Sequence, residues 1–356
     1  MARAPRAAAA AAPIEEDEDH PVRANPDLFS HDEAAAALEA AARSGRLPHA
    51  WLVAGPPGIG KATLGYRFAR WLLAGGAERP AVSGTSPLYL APEHPVFRRL
   101  VAGAHADFLV LRPEAGDGVK RTIRVDPVRK AIHALALTAA EGGWRFVLVD
   151  QAEAMRPEAA NALLKTLEEP PPRAVLMLTT AAPDRLLPTI RSRCRRLQLA
   201  PLGPDGMDPV LHRLRPDMPP TDRARLAVMA EGSPGRALAL AEGEGLALQG
   251  LVEEVLAGLA AGERRRWHGI AESVAAKRDG SAFVTFMALL RREISAAVRR
   301  TARGEAPPPW LGIRSLADWS TLWDSLGRLA AETDGLSLDR KQAVLTALGW
   351  LTPPRR

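Results

Sequence analysis

The apolar run AWLVA at residues 50–54 leads directly into GPPGIGKAT at 55–63, and a helix-forming stretch follows. A strand that ends in a glycine-rich turn and restarts as a helix has few ways to fold. Small residues let backbone N–H groups turn inward around an anion, and a helix starting at Lys61 adds the positive end of its dipole. The pattern G-x-x-x-x-G-K-[ST] of a phosphate-binding loop is met by Gly55, Pro56, Pro57, Gly58, Ile59, Gly60 and Lys61. It breaks at the next position. Ala62 stands where a hydroxyl would hold Mg2+, and Thr63 brings one a residue late, roughly 100° further round the helix. The loop is expected in the fold, with Lys61 reaching for phosphate. Whether it still binds a Mg-nucleotide tightly is left open.

The flanking chain repeats the same alternation. Apolar strand runs are expected at 107–113, 144–150 and 174–180, with a helical turn and a further strand within 188–202. Helices are expected at 31–48, 61–75 and 156–172, and at 123–139 after a strand-like start. Strands alternating with helices predict a parallel sheet in an α/β domain covering 23–202. Within it, the Pro- and Gly-rich stretch 76–105 reads as an insertion with a short helix at its end. Beyond 202 no strand run is convincing. A small helical domain is expected at 203–245, and a larger one at 246–356, broken only at 304–312 by GEAPPPWLG. Residues 1–22, with their alanine run and acidic cluster, are expected to form a disordered tail.

Composition narrows the function. Cys194 is the single cysteine, which excludes an intramolecular disulfide framework and a cysteine-rich zinc cluster, and suits a reducing cytosol. No 18-residue apolar stretch is present to span a membrane. A net charge of +6 suits nucleic acid or an acidic protein surface, and equally an arginine-rich proteome.

Four further stretches carry candidate chemistry. In FVLVDQAEAM (146–155), Asp150 ends an apolar strand where a Mg2+-organising carboxylate would stand, or simply caps the next turn. A water-polarising glutamate would follow it, but position 151 is glutamine, and an amide cannot act as a general base at neutral pH. Glu153 could substitute only if the turn redirected it. In TTAAPDRLLPTIRSRCRRLQL (179–199), Thr180 ends a strand where a polar side chain could watch a γ-phosphate. Arg193 lies in a basic cluster with Arg191, Arg195 and Arg196. The cluster is either a solvated face or an arginine presented to a phosphate, a neighbour's included. In GSPGRALAL (232–240), Arg236 opens a helix and either touches nucleotide from a lid or faces solvent.

With those residues in view, SGRLPHAWLVAGPPGIGKATLGYRFARWLL, NALLKTLEEPP, LLPTIRSRCRRLQL and the late LSLDRKQAVLTAL (336–348) together resemble the delta-prime family of bacterial DNA polymerase III clamp-loader subunits, over roughly 23–356. The resemblance implies an AAA+ module, a three-helix lid and a helical collar. It implies a pentameric ring with tau/gamma motor subunits and a delta subunit, which opens a sliding clamp and places it on primed DNA in the cytoplasm, at the nucleoid. It further implies a relatively rigid stator, weak or inactive as an ATPase, which lends the arginine of its Ser-Arg-Cys triplet, Arg193 by position, to the neighbouring ATP site. Many clamp-loader subunits carry a four-cysteine zinc module that 76–105 lacks, so no zinc is expected. The loop is preserved well enough to leave ATP or ADP with Mg2+ as a cofactor. Two other classes compete: a self-contained AAA+ ATPase such as a helicase loader, and a nucleic-acid binder using ERRRW (263–267) and VRRTAR (298–303).

Overall fold

The computed structural model describes residues 21–78, 86–114, 121–141, 143–261 and 264–352. The tail expected at 1–22 lies outside them, save its last two residues, which open the short helix α1 (Pro21–Ala24). The chain divides into two compact units. One comprises residues up to 54, 61–112 and 123–198, and the other 55–60, 113–122 and 199–356.

In chain order the first unit contains α2 (Asp32–Arg43), β1 (Ala50–Ala54), α3 (Lys61–Leu73), α4 (Pro95–Val101), β2 (Phe108–Leu111), α5 (Val125–Ala136), β3 (Arg145–Val149), α6 (Pro157–Glu168), β4 (Ala174–Thr180), α7 (Pro188–Arg191) and β5 (Arg195–Gln198). The strands form one sheet in the order β2-β3-β4-β1-β5, and every neighbouring pair is parallel. The α/β fold class expected from the alternation is therefore present. Every residue of β1, β3 and β4 is buried, as a parallel sheet covered on both faces requires. β5, with the sequence RRLQ, is mostly exposed, and charged side chains suit a sheet edge because they discourage pairing with another chain. From β1 the chain crosses to β2 at the far edge and returns through β3 and β4 to the flank of β1. That order brings the C-terminal ends of β3, β4 and β1 side by side, where ligands of open parallel sheets bind.

One face of the sheet packs α5 and α6, through Val128, Ala131, Leu135, Leu163 and Leu167 against Val147, Val149, Leu176 and Leu178. The other carries α3, which is buried almost all round. Gly65 is where this helix comes closest to the sheet: a Cβ there would stand 2.8 Å from Leu148 of β3 and 3.4 Å from the Met177 sulfur of β4. On the far side of α3, two buried arginines end on backbone carbonyls. Arg67 donates to Pro26 O at 2.6 Å and Pro87 O at 2.9 Å. Arg70 donates to Asn25 O at 2.7 Å and lies 4.3 Å from the centre of the Phe97 ring of α4. Burial brings the Arg70 pKa down to about 10, which leaves it charged at neutral pH. Through these arginines part of the 76–105 segment packs on α3: the Pro87 carbonyl accepts from Arg67, and the Phe97 ring lies over Arg70. Residues 79–85 lie outside the described residues.

Residue 123 makes a single parallel bridge to Met155 rather than a strand, so the strand-like start read at 123–139 is one bridge followed by α5.

The second unit contains α8 (Pro204–Leu214), α9 (Pro220–Ala230), α10 (Pro234–Glu242), α11 (Gly245–Ala261), α12 (Trp267–Ala275), α13 (Ser281–Ala302), α14 (Leu316–Gly335) and α15 (Arg340–Leu351). The break at 304–312 is present and holds a 3-10 turn at Pro309–Ile313. It is not the only one. Gly280 and Ser337 take left-handed backbone, at φ 75° and 53°, and end the helical run between α12 and α13 and between α14 and α15. α13 and α14 are locked by a reciprocal pair: Arg291 Nε donates to Trp323 O at 3.1 Å, and Trp323 Nε1 to Arg291 O at 3.0 Å. Among the described residues no helix is long and apolar enough to cross a membrane.

The close approach at Gly65 sets a test with a definite sign. At an exposed helix position, replacing glycine lowers backbone entropy cost and stabilises by a few tenths to about 1 kcal/mol. Here Gly65→Val is expected to destabilise by about 1–3 kcal/mol, the usual cost of overpacking. Urea denaturation of the two proteins measures it, and a gain in stability contradicts the tight helix-to-sheet contact.

Candidate functional site

At the C-terminal edge of the sheet, β3 delivers Asp150 one residue past its end. Its backbone N–H donates to Leu111 O at 2.9 Å. Its carboxylate accepts from the Thr179 hydroxyl at 2.6 Å, and that hydroxyl in turn accepts from the Gln151 backbone N–H at 3.0 Å. Gln151 itself sits in left-handed backbone, at φ 56° and ψ 56°, a conformation that costs a non-glycine residue on the order of 1 kcal/mol. The hydrogen bond to Thr179 holds it there. A 3-10 turn at Ala152–Ala154 follows, pinned by Ile123 N–H donating to Ala154 O at 2.9 Å and Arg156 N–H to Ile123 O at 3.0 Å.

This left-handed step redirects the turn, and Glu153 comes back to the sheet edge. Its Oε1 accepts from Ala181 N–H, just past β4, at 2.9 Å. Its Oε2 is buried with no hydrogen-bond partner. Lys61, first residue of α3, is 9 % exposed. Burial lowers its pKa, and the carboxylates of Glu153 and then Asp150 oppose that shift. One buried cation and two carboxylates thus share this edge of the sheet. Ala62 and Thr63 lie half-buried in the first turn of α3.

Thr180 is fully buried, and its hydroxyl oxygen accepts from Ala182 N–H at 3.1 Å, closing the turn after β4. The threonine that touches Asp150 is its neighbour Thr179. Adjacent strand residues point to opposite faces, so only one of the two can share the face on which the Asp150 carboxylate lies. Choosing between them needs the β3–β4 register, in which Val149 pairs with Leu178.

The loop Gly55–Gly60 and the α10 end belong to the second unit. Gly58 has φ 74°, and a Cβ there would stand 2.6 Å from Ser233 Oγ and 2.8 Å from Arg236 N. The backbones meet directly, Gly235 N–H donating to Gly58 O at 2.8 Å. Ser233, the N-cap of α10, donates its hydroxyl to Pro57 O at 2.8 Å and accepts from Arg236 N–H at 3.2 Å. The Arg236 guanidinium pairs with Glu231 at 3.2 Å.

Arg193 stands at the other edge of the sheet. It precedes β5 by two residues, and β5 begins with Arg195 paired to Trp51 and ends with Gln198 paired to Ala54. Three rises of about 3.3 Å separate those ends, so at least about 10 Å of strand lies between the Arg193 edge and the edge carrying Asp150. Arg193 donates to Glu168, at the end of α6, at 2.6 Å and to Thr189 O at 3.0 Å, and 34 % of its side chain is exposed. Around it, Arg191 pairs with Asp184 at 2.9 Å, Arg195 covers the Trp51 ring and Arg196 donates to Gln198. Burial pushes the Cys194 thiol up to about 12, which leaves it inert as a nucleophile. In the two basic patches, Arg266 pairs with Glu254 and Arg299 with Glu231, as side chains on helix surfaces do; Glu263 lies outside the described residues.

A family described as "DNA polymerase III, delta subunit" matches residues 30–203. The chain is 35% identical to DNA polymerase III subunit delta' of Pseudomonas aeruginosa over 306 residues, covering 85% of this chain and 79% of the relative. It is 38% identical to subunit delta' of Escherichia coli K12 over 58% of each chain. To subunit gamma/tau of Mycobacterium bovis it is 30% identical over 53% of this chain and 30% of the relative. By the likeness to the Pseudomonas aeruginosa subunit over most of both chains, the chain belongs to the family of DNA polymerase III delta' subunits.

Proposed function

We propose that this chain is the delta-prime member of a clamp loader. In that reading it joins tau/gamma motor subunits and a delta subunit in a pentameric ring that places a sliding clamp on primed DNA, and Arg193 completes the ATP site of an adjacent motor subunit. The placement of Arg193 carries the reading. An arginine serving its own nucleotide would have to reach the edge that carries Lys61 and Asp150, and Arg193 stands across the sheet from it. Its ion pair with Glu168 is half-exposed, of a kind that contributes about 0–1 kcal/mol and exchanges readily for a stronger acceptor such as a phosphate.

ATP or ADP with Mg2+ fits the residues at the C-terminal edge. Lys61 is a buried cation among carboxylates, Asp150 is ionisable and oriented by Thr179, and the Glu153 Oε2 is buried without a partner. A bound Mg2+ would neutralise phosphate charge, and Lys61 would hold the β- and γ-phosphates. Hydrolysis lacks two parts. Ala62 offers no hydroxyl to the metal. Gln151 offers no base, and its backbone is committed to Thr179. The helicase-loader alternative requires both parts, and no other observation favours it.

Two outcomes follow. In a loader reconstituted so that only the motor site facing this subunit can hydrolyse ATP, Arg193→Ala is expected to leave assembly intact and to slow turnover about 1000-fold, the lower range for an arginine finger. Turnover equal to wild type removes Arg193 from that role. The isolated chain, assayed alone with Mg-ATP, is expected to turn over well below about 1 per second. A faster rate supports the self-contained ATPase instead.

A further inference from the structure

Glu153 is, with Asp150, one of the two carboxylates that act on Lys61 at the sheet edge. Glu153 follows Asp150 by three residues, and in a chain that continued as strand or helix it would have no reason to return. The left-handed Gln151 and the 3-10 turn bring it back, and the Ala181 N–H fixes one of its two oxygens at 2.9 Å. The other oxygen is buried and unpartnered. A half-satisfied buried carboxylate is costly unless a donor or cation meets it. Asp150, the other acid here, already receives the Thr179 hydroxyl. The Ala62 side chain supplies no oxygen.

We propose that Glu153 is a cation-binding residue of this site, its Oε2 accepting from the hydration shell of a Mg2+ that arrives with ATP or ADP. The proposal rests on the nucleotide reading of Lys61 and Asp150 given above. Mg2+ retains several waters and is held by one or two carboxylates together with phosphate oxygens, so a carboxylate anchored through one oxygen and lacking a hydrogen-bond partner at the other suits an outer-sphere role. Glu153 thereby makes up for the oxygen absent at position 62. It is a positioning residue for the metal, with no hydrolytic step assigned to it. The competing role for the same side chain is a phosphate mimic, neutralising Lys61 until nucleotide displaces it. The two roles differ in sign. A metal-positioning acid strengthens nucleotide binding only when Mg2+ is present, whereas a phosphate mimic weakens it whether or not Mg2+ is there.

Calorimetric titration of the full chain with ADP, in Mg2+ and in EDTA, separates them. Wild type is expected to bind more tightly in Mg2+. Glu153→Gln, which keeps the shape and removes the charge, is expected to lose about tenfold of that Mg2+ advantage with its affinity in EDTA unchanged. Glu153→Asp, which keeps the charge, is expected to retain part of it, and serves as the reporter if the Gln variant does not fold. An unchanged Mg2+ advantage in both variants overturns the proposal and leaves the nucleotide reading standing. Tighter ADP binding by Glu153→Gln in both buffers overturns it in favour of the phosphate mimic. If wild type binds no ADP in either buffer, the nucleotide reading falls, and the proposal with it.

Discussion

The hydroxyl of Thr179 joins the two central strands at the edge where ligands of parallel sheets bind. It donates to Asp150 at 2.6 Å and accepts from the Gln151 backbone at 3.0 Å. The donation holds the carboxylate at the end of β3. The acceptance stabilises a left-handed residue that would otherwise be unfavourable. That residue turns the chain so that Glu153 meets Ala181, and the Ile123 bridge keeps the turn in place. Removing one oxygen atom would leave the Asp150 carboxyl, the left-handed backbone of Gln151 and its N–H all short of a partner. Few positions concentrate so much in so small a group, because buried polar networks are stable only when every member is satisfied.

Helix α3 has a comparable place in the packing of the first unit. Its sheet-facing side is shaped by Gly65, and its opposite side by Arg67 and Arg70, whose guanidinium groups end on carbonyls of otherwise irregular backbone. The carbonyls satisfy the charges, and the charges order the backbone. The amino-terminal end of the same helix carries Lys61. The segment at 86–101 is thus held by hydrogen bonds and by Phe97 packing, in the part of the chain where a cysteine-based metal module was not to be expected.

Much of this was legible in the chain itself. Apolar runs of four to seven residues separated by helical periods specify a parallel sheet buried on both faces, and β1, β3 and β4 lie where those runs are. The glycine loop and the proline-started helices mark their own boundaries. Thr179 was not legible. Two threonines stand side by side, and only the β3–β4 register decides which meets Asp150. The left-handed conformation of Gln151 was equally hidden, since glutamine has no special tendency toward it and a tertiary hydrogen bond imposes it. The extra helix breaks at Gly280 and Ser337 were missed because neither sits in a proline-rich stretch.

By itself, the sequence determined the fold class, the position of the glycine loop, the absence of a hydroxyl at Ala62 and of an acid at Gln151, and the Ser-Arg-Cys triplet with Arg193 at its centre. These are properties of residue type and local spacing, which need no partner from elsewhere in the chain. Only the tertiary structure decided that Arg193 and Asp150 lie at opposite ends of the strands of one sheet, that Thr179 and not Thr180 orients the acid, and that Glu153 returns to Ala181 with its second oxygen lacking a hydrogen-bond partner. The physical reason is that strand order and register are set by long-range packing, and a side chain's chemistry follows from the neighbours that packing brings to it.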